Sequence, residues 1–137
     1  MKRMTKTLKV HHYFTIAVHI FKTRRKMLNF ANRNEYSCGK DTMAMYQPCD
    51  WWVNKNNILI KVPLLGELLF NSQDVNSNII VHEGSHAGMD CIRQINKYKV
   101  LDIEEINDRE EALCYYIGDI SEMVFTLFKE LGVVISR

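Results

Sequence analysis

The residues best suited to chemistry form one short motif. Residues 81–87 read Val-His-Glu-Gly-Ser-His-Ala, which contains the pattern H-E-x-x-H at His82, Glu83 and His86. On an α-helix, positions i and i+4 lie one turn apart on the same face, so both imidazoles can reach one metal ion. Glu83 then lies beside the open coordination position of the ion, where it can act as a general base. The motif therefore predicts metal-assisted hydrolysis.

Zinc suits this set of donors. Two imidazole nitrogens at about 2.0–2.1 Å, a carboxylate and a water molecule make a typical catalytic zinc centre. Zinc lowers the pKa of its water toward about 7, and a neighbouring carboxylate can pass the proton to a leaving amine. The alternative is that His82 and His86 are ordinary helix-face histidines and that Glu83 is solvated. Gly84 favours a functional site over ordinary helix-face histidines. A helical glycine destabilises the helix by about 1 kcal/mol relative to alanine, which makes more sense where another group packs closely.

The third ligand must come from outside the motif. A third histidine six residues after the second is excluded, because Ile92 occupies that position. Glu110 and Glu111 lie at the start of the last predicted helix and offer two carboxylates. Asp108-x-x-Glu111 is also a capping box, so a structural role is the alternative for Glu111. Helical periodicity places Glu110 nearer the main apolar stripe of that helix, so both carboxylates remain candidates.

Together these motifs resemble the gluzincin branch of the zincin metallopeptidases. The third ligand of that family is a Glu early in the helix that follows the H-E-x-x-H helix. Residues 111–118, Glu-Ala-Leu-Cys-Tyr-Tyr-Ile-Gly, are similar to the family's run of Glu, Ala, a small residue at +3 and Gly at +7. The resemblance implies Glu111 as the third zinc ligand, with Glu110 in reserve. It covers about residues 75–125 and extends, more loosely, to small zincin-like proteins of phages and prophages.

The sequence departs from the gluzincin pattern in two places. The Asp that usually follows the ligand Glu by four residues is Tyr115 here, so the carboxylate that orients a histidine is missing or comes from elsewhere. The connection between His86 and Glu111 is also longer than in thermolysin-like enzymes. Tyr115 or Tyr116 can donate a hydrogen bond to a developing oxyanion, although a packed aromatic is the commoner role of such residues.

Composition and charge limit what surrounds the site. The chain has 137 residues, of which 47% are hydrophobic and 25% charged. These figures fit one domain over residues 1–137 and exclude collagen-like, disordered and disulfide-scaffold classes. Residues 1–62 carry twelve Lys or Arg and three Asp or Glu, whereas residues 63–137 carry six and thirteen. The basic half is a nucleic-acid surface, a solvated face or an attractive partner for the acidic half.

The sequence also bears on location. No apolar run approaches the roughly 18–20 residues that span a bilayer. The apolar run over residues 14–21 has no small-residue cleavage site behind it, so a secretory signal is not expected. Four widely spaced cysteines without a C-x-x-C pair favour reduced thiols. We therefore expect no membrane segment and a cytoplasmic location, which is the host cytoplasm if a phage encodes the chain.

Strands are predicted mainly in the first half. Alternating apolar residues over 14–20 predict a strand with one buried face. A short strand over 43–46 is expected to be stopped by Pro48. Two β-favouring runs, 51–53 and 58–62, flank a turn and predict a hairpin or a bulged long strand.

Helices are predicted mainly in the second half. Thr23 is the expected N-cap of a short helix to about residue 32, and a loop over 34–41 follows it. The run after Pro63 to residue 70 fits a helical turn or an edge segment. The longer helices are expected from about 74–77 to 96, and from 108 to 131 with an end at Gly132. Strands followed by long helices indicate an α+β fold. The resemblance implies a minimal zincin-like domain: a small N-terminal sheet with a short helix, the motif helix and a long C-terminal helix.

The leading hypothesis is a zinc-dependent metallopeptidase. In it His82, His86 and Glu111 hold Zn²⁺ and Glu83 acts as general base. The resemblance implies that the sheet edge aligns a peptide or protein substrate. The alternative is a phage-type accessory or interaction protein that uses the metal for stability and binds nucleic acid or a host protein through the basic half. An intact Glu83 favours the enzyme, because a structural zinc site needs no base.

Overall fold

In the part of the chain that the structure describes, six strands and three helices form an α+β fold. The computed structural model describes residues 3–10, 14–49, 52–55, 58–61, 64–98 and 106–135. In chain order the elements are β1 (Met4–Val10), β2 (Phe14–Phe21), α1 (Arg24–Arg33), β3 (Met45–Pro48), β4 (Trp52–Lys55), β5 (Ile58–Lys61), β6 (Leu64–Asn71), α2 (Ser77–Tyr98) and α3 (Ile106–Glu130). The predicted α+β class is confirmed.

The main sheet has four strands in the order β1-β2-β6-β3. Its two central strands, β2 and β6, run parallel, and both outer pairs are antiparallel. Seven of the eight residues of β2 are buried, because helices α2 and α3 cover one face of the sheet and α1 covers part of the other. The prediction of a strand with one buried face was therefore wrong. The run that was ambiguous between a helical turn and an edge segment is the central strand β6.

The remaining strands agree with the sequence only in part. The strand predicted over 43–46 begins two residues later. It was expected to end before Pro48, but Pro48 is its last residue. Strands β4 and β5 form the expected antiparallel hairpin, with Lys55 opposite Ile58. Residues 56–57 of its turn lie outside the described residues. Strand β1 was not predicted, because it is an edge strand whose exposed Thr and Lys side chains hide its pattern.

Helix α1 begins where its cap predicts. The Thr23 side chain accepts a hydrogen bond of 3.2 Å from the backbone N–H of Lys26, as an N-cap residue does. Met27 and Ala31 are fully buried against the sheet residues Phe21, Met45 and Leu69. Since one stripe of the helix faces the sheet, the opposite stripe lies in solvent.

Both long helices have recognisable ends. The side chain of Asn76 accepts a hydrogen bond of 2.8 Å from the backbone N–H of Ile79 and caps the start of α2. At the other end of the fold, Gly132 has a φ of 71° after the last residue of α3. The N–H of Val133 then reaches the carbonyl of Phe128 at 3.0 Å. These contacts confirm the predicted C-terminal end, because glycine adopts this left-handed conformation without strain.

Helices α2 and α3 approach closely at two glycines of the motif helix. A Cβ atom at Gly84 would lie 2.8 Å from Oγ of Ser121, and one at Gly88 would lie 2.8 Å from Cγ1 of Ile117. The numbering rises on α2 as it falls on α3, so the helices are antiparallel. Gly118 of α3 takes no part in this contact, because nothing lies within 4 Å of a Cβ built there.

A buried asparagine ties the sheet to the segment that leads into α2. The side-chain oxygen of Asn71 accepts hydrogen bonds from the backbone N–H groups of Gln73 and Asp74 at 3.1 and 3.0 Å. Its amide donates to the carbonyl of Met43 and to the Asp74 carboxylate, both at 2.9 Å. Arg24 donates to that carboxylate from Nε and Nη2 at 2.7 and 2.8 Å. Helix α1 and the segments that lead into β3 and α2 are therefore fixed to one point.

Two further findings concern the cysteines and the helices. No disulfide joins the four cysteines, all of which lie within the described residues, and Cys91 is fully buried. Burial raises the pKa of the Cys91 thiol to about 12, so this thiol is not a reactive nucleophile. In the part of the chain that the structure describes, no helix is both long and apolar enough to cross a membrane.

The glycine contact between the two helices can be tested by adding one methyl group. We expect Gly88→Ala to lower the free energy of unfolding by about 1 kcal/mol, because overpacking at a rigid contact costs about 1–3 kcal/mol and exceeds the helix-propensity gain. Urea denaturation measures the change. The matched control is Gly118→Ala, which meets no atom within 4 Å and should stabilise the chain by about 0.5–1 kcal/mol. Equal effects of the two substitutions would contradict the close approach.

The Arg24–Asp74 pair predicts a pH-dependent stability. The hydrogen bonds from Arg24 hold the pKa of Asp74 below its ordinary value of 3.8. A depressed carboxyl pKa stabilises the folded state above the unfolded pKa, and this contribution is lost as the pH falls through the folded pKa. Asp74→Asn should therefore lower the urea midpoint at pH 7, and the difference from the wild type should disappear as the pH falls through the lowered pKa of Asp74. Asp119→Asn, at an exposed position of α3, is the control, and a difference between Asp74→Asn and wild type that persists at low pH would disprove the assignment.

Candidate metal centre

The two histidines of the motif meet at the surface of α2. Their Nε2 atoms lie 3.2 Å apart, and the rings are nearly perpendicular, with an interplanar angle of 80°. The side chain of His82 is 68% exposed, and His86 is exposed as well. The spacing of the motif thus produces the predicted pair of imidazoles on one face of a helix, within reach of solvent.

The separation of the two nitrogens fits a shared ion. Two ligands at about 2.0–2.1 Å from one zinc ion, at a tetrahedral angle, lie about 3.3 Å apart. The observed 3.2 Å between Nε2 of His82 and Nε2 of His86 matches this value. The same distance suits a hydrogen bond in which one ring donates to the other. The two nitrogens are therefore positioned to share either a proton or a metal ion.

The third residue of the motif is a buried carboxylate. Glu83 is 9% exposed, and its Oε1 atom lies 4.0 Å from Nε2 of His82. Burial raises the pKa of Glu83, whereas the charges of His86 and His82 and a hydrogen bond from the backbone N–H of Tyr46 lower it. Desolvation makes the carboxylate a stronger base, and the carboxylate lies beside the imidazole pair, where an ion would be held.

Tyr46 connects this carboxylate to strand β3. Besides its backbone contact with Glu83, its hydroxyl donates a hydrogen bond of 2.6 Å to the buried carboxylate of Asp90, about two turns further along α2. Its ring lies across β6 at Gly66, where a Cβ atom would overlap the phenol. Burial and the nearby Asp90 raise the pKa of Tyr46. The hydroxyl therefore remains a hydrogen-bond donor, and α2 is fixed to β3 at two carboxylates.

A cleft opens beside the imidazole pair. Its volume is about 370 Å³, and it lies between the start of α2 and the segment that enters β3. Seven residues line it: Met43, Ala44, Asn76, Asn78, Ile79, His82 and Glu83. The proposed base and one imidazole therefore face a space large enough for part of an extended chain.

The predicted third ligand lies on a helix that packs on another face of α2. An α-helix turns by about 100° per residue. Gly84 and Gly88 contact α3, so His86, two residues from each glycine, points to the opposite side of α2. Glu111 is exposed and lies six residues before Ile117, the residue that meets Gly88. The structure therefore does not bring Glu111 to the imidazoles.

The other candidates on α3 are distributed differently. The side chain of Glu110 lies outside the described residues. Tyr115, the candidate oxyanion donor, is 64% exposed on α3, whereas Tyr116 is 5% exposed and belongs to the core. Burial raises the pKa of Tyr116 to about 12. Across the described residues, no group of three or more His, Cys, Asp and Glu side chains is arranged to hold a metal ion. The assignment of Glu111 stays a prediction.

A second polar cluster lies on the other face of the sheet and was missed at the sequence level. Nε2 of His19 lies 2.9 Å from the Glu67 carboxylate, and Nδ1 lies 2.9 Å from the hydroxyl of Thr5. The hydroxyl of Tyr36 also donates to Glu67. His19 is 6% exposed and packs against Phe30, with ring centroids 4.8 Å apart. The partners lie 14 to 48 residues apart in the chain, so no local pattern could reveal them.

The double anchor at Tyr46 can be tested by removing one oxygen. Tyr46→Phe leaves Asp90 buried without its shortest hydrogen bond, so we expect a loss of about 1–3 kcal/mol in the free energy of unfolding. Chemical denaturation followed by far-UV circular dichroism measures it. Tyr115→Phe, at an exposed position, should change stability by less than about 0.5 kcal/mol. If both variants unfold at the wild-type midpoint, Tyr46 does not hold α2 through its hydroxyl.

Comparison of the chain with protein-family models, with curated proteins and with solved structures finds no significant match. The likeness to zincins therefore rests on the motifs within residues 75–125 and on the geometry of the imidazole pair.

Proposed function

We propose that the chain is a zinc-dependent hydrolase that cleaves peptide bonds. The observation that carries the proposal is the pair of Nε2 atoms of His82 and His86, 3.2 Å apart at the surface, with the buried carboxylate of Glu83 beside them. Solvated helix histidines need no such carboxylate. A structural zinc site also needs none, because its four positions are filled by protein ligands.

Each residue of the motif has a distinct task. His82 and His86 hold the ion through Nε2. When bound, zinc polarises the substrate carbonyl and makes water more acidic. Glu83 takes a proton from the attacking water and gives it to the nitrogen of the leaving amine as the C–N bond breaks. Its burial suits this exchange, because a raised pKa makes the carboxylate a better proton acceptor and the acid a readily available donor.

The sheet supplies a place for the substrate. Strand β3 is an outer strand of the main sheet, and no other described strand pairs with its second edge. The backbone N–H of Tyr46 reaches Glu83 from this strand. An extended peptide that adds to the free edge of β3 would therefore run past the carboxylate and the cleft beside it. Peptide recognition by strand addition uses main-chain hydrogen bonds and so accepts many sequences.

The metal site predicts a graded response to substitution. We expect the purified chain to bind one zinc ion, and His86→Ala to weaken that binding by at least about 100-fold because half of the imidazole pair is lost. Glu83→Gln should keep the metal, since the carboxylate lies beside the ion rather than on it. Elemental analysis and competition with a chromophoric chelator measure both. Equal zinc affinity of wild type and His86→Ala would refute the site.

Hydrolysis separates an enzyme from a structural zinc protein. With a labelled casein digest or a peptide library as substrate, Glu83→Gln should lose about 10²–10⁴-fold in rate while it retains zinc. Unchanged turnover in the zinc-loaded variant would favour the interaction protein. A chain that binds zinc but cleaves no peptide would keep the metal site and exclude the peptidase.

The third ligand is decided by a matched pair of variants on α3. If Glu111 is a ligand, Glu111→Ala must weaken zinc binding as far as His86→Ala does. The packing of α3 against the other face of α2 supports the opposite result. In that case Glu111→Ala would match Glu122→Ala, a second exposed carboxylate of the same helix, and other groups would complete the coordination.

A further inference from the structure

The outer stripe of α1 carries cations and amides. Met27 and Ala31 face the sheet, which leaves the exposed side chains of the helix on its far side. These are Arg25, Lys26, Asn29, Asn32 and Arg33. The first turn of the helix contains no acidic residue. A helix of 10 residues thus presents three positive charges and two amides to solvent.

Two grooves run along the sides of this stripe. The groove toward β1 has a volume of about 660 Å³ and is lined by Arg3, Lys26 and Arg33 among others. The groove on the other side has a volume of about 700 Å³ and includes Arg25 and Lys40. Asn29 and Asn32 line both grooves, so the two amides form the ridge between them. Cations therefore lie on both flanks of a polar ridge.

Most of these cations are not neutralised within the fold. Arg25, Lys26, Arg33 and Lys40 make no ion pair with another residue that the structure describes. Arg24 is the exception, because it is held by Asp74, the one carboxylate of the second groove. The two acids that follow the helix in the chain, Glu35 and Asp41, are exposed. A stable fold does not require such an arrangement, since the cations contribute no contact to the core.

We propose that the outer face of α1 docks on duplex nucleic acid. An α-helix with its side chains is about 10–12 Å wide, and the major groove of B-DNA is about 12 Å wide. With the ridge in the groove, the cations of the two flanks face the two phosphate strands that border it. Lysine and arginine side chains that contact the phosphates release counterions from the DNA, and this release increases the binding affinity. Asn29 and Asn32 then face base edges, and asparagine pairs with adenine in this groove.

This arrangement favours a duplex over an acidic protein. An acidic protein surface would need its carboxylates in two rows with a polar strip between them, whereas B-DNA has this pattern of charge along its major groove. The site is independent of the imidazole pair, because α1 and α2 pack on opposite faces of the sheet. Failure of the zinc hydrolase proposal would therefore leave it intact.

The test is fluorescence anisotropy of a labelled 20-base-pair DNA duplex with the full chain between 50 and 200 mM NaCl. Three phosphate contacts predict that Kd rises about 40-fold over this range. The variant Arg25→Gln/Lys26→Gln/Arg33→Gln should bind at least about tenfold more weakly at 50 mM and lose most of the salt dependence. The control Lys6→Gln/Arg93→Gln/Lys129→Gln removes the same charge from β1, α2 and α3, and it should bind as the wild type does.

Three results would overturn the proposal. They are the absence of salt-dependent binding, an equal loss in the control variant, and competition by polyglutamate as effective as that by unlabelled duplex at equal charge. Zinc content and peptide hydrolysis of the α1 variant should equal those of the wild type, so the two proposals fail separately. The single variant Arg33→Gln, which removes one exposed charge, keeps the test decisive if the triple variant unfolds, and it should lower the salt slope by about 1.

Discussion

The close approach of α3 to α2 at Gly84 and Gly88 determines which residues of the motif can do chemistry. A helix turns by about 100° per residue, so once a neighbour occupies the glycine face, the direction of each remaining side chain around the helix is fixed. Glu83 is turned toward β3 and the sheet, and His82 and His86 are turned to solvent. A bulky residue at either glycine would separate the helices and open the core beneath the motif. The glycine that lowers the helix propensity of the motif is therefore the residue that fixes its orientation.

The position of Glu83 at the boundary between core and surface determines which groups act on its pKa. A carboxylate one residue away, at position 82 or at Gly84, would lie in solvent or against α3. At position 83 it is buried, and desolvation raises its pKa, while the imidazoles and the N–H of Tyr46 favour its charged form. Burial and these neighbours therefore act in opposite directions on the pKa of one carboxyl group, and burial has the larger effect. This balance requires α2 to remain fixed to β3, which the contact between Tyr46 and Asp90 provides.

Local signals in the sequence predicted much of this arrangement. Features that depend on contacts between residues distant in the chain could not be predicted from it. The H-E-x-x-H spacing, the Thr23 cap and Gly132 each act within one or two helical turns, and the structure confirms the element that each one predicts. The central place of β6 depends on parallel pairing with β2, about fifty residues earlier. An apolar run without alternation fits a central strand as well as a helical turn. The side of α2 that α3 covers is likewise a matter of packing, so the sequence could not place Glu111 relative to the imidazoles.

The basic helix α1 and the helices of the acidic half are separated in space in the folded chain. The sheet lies between the basic helix α1 and the two helices of the acidic half, and each face has its own hydrophobic core. Arg24–Asp74, Lys6–Glu130 and the hydrogen-bonded pair His19–Glu67 join the two halves directly. Among the described residues, attraction between the halves is confined to a few such contacts, and the other cations of α1 make no ion pair. Exposed charges separated by more than about 8 Å are largely screened at physiological salt. A polyanion on α1 and a divalent ion at the imidazoles would then bind without opposing each other, because a layer of sheet and side chains lies between them.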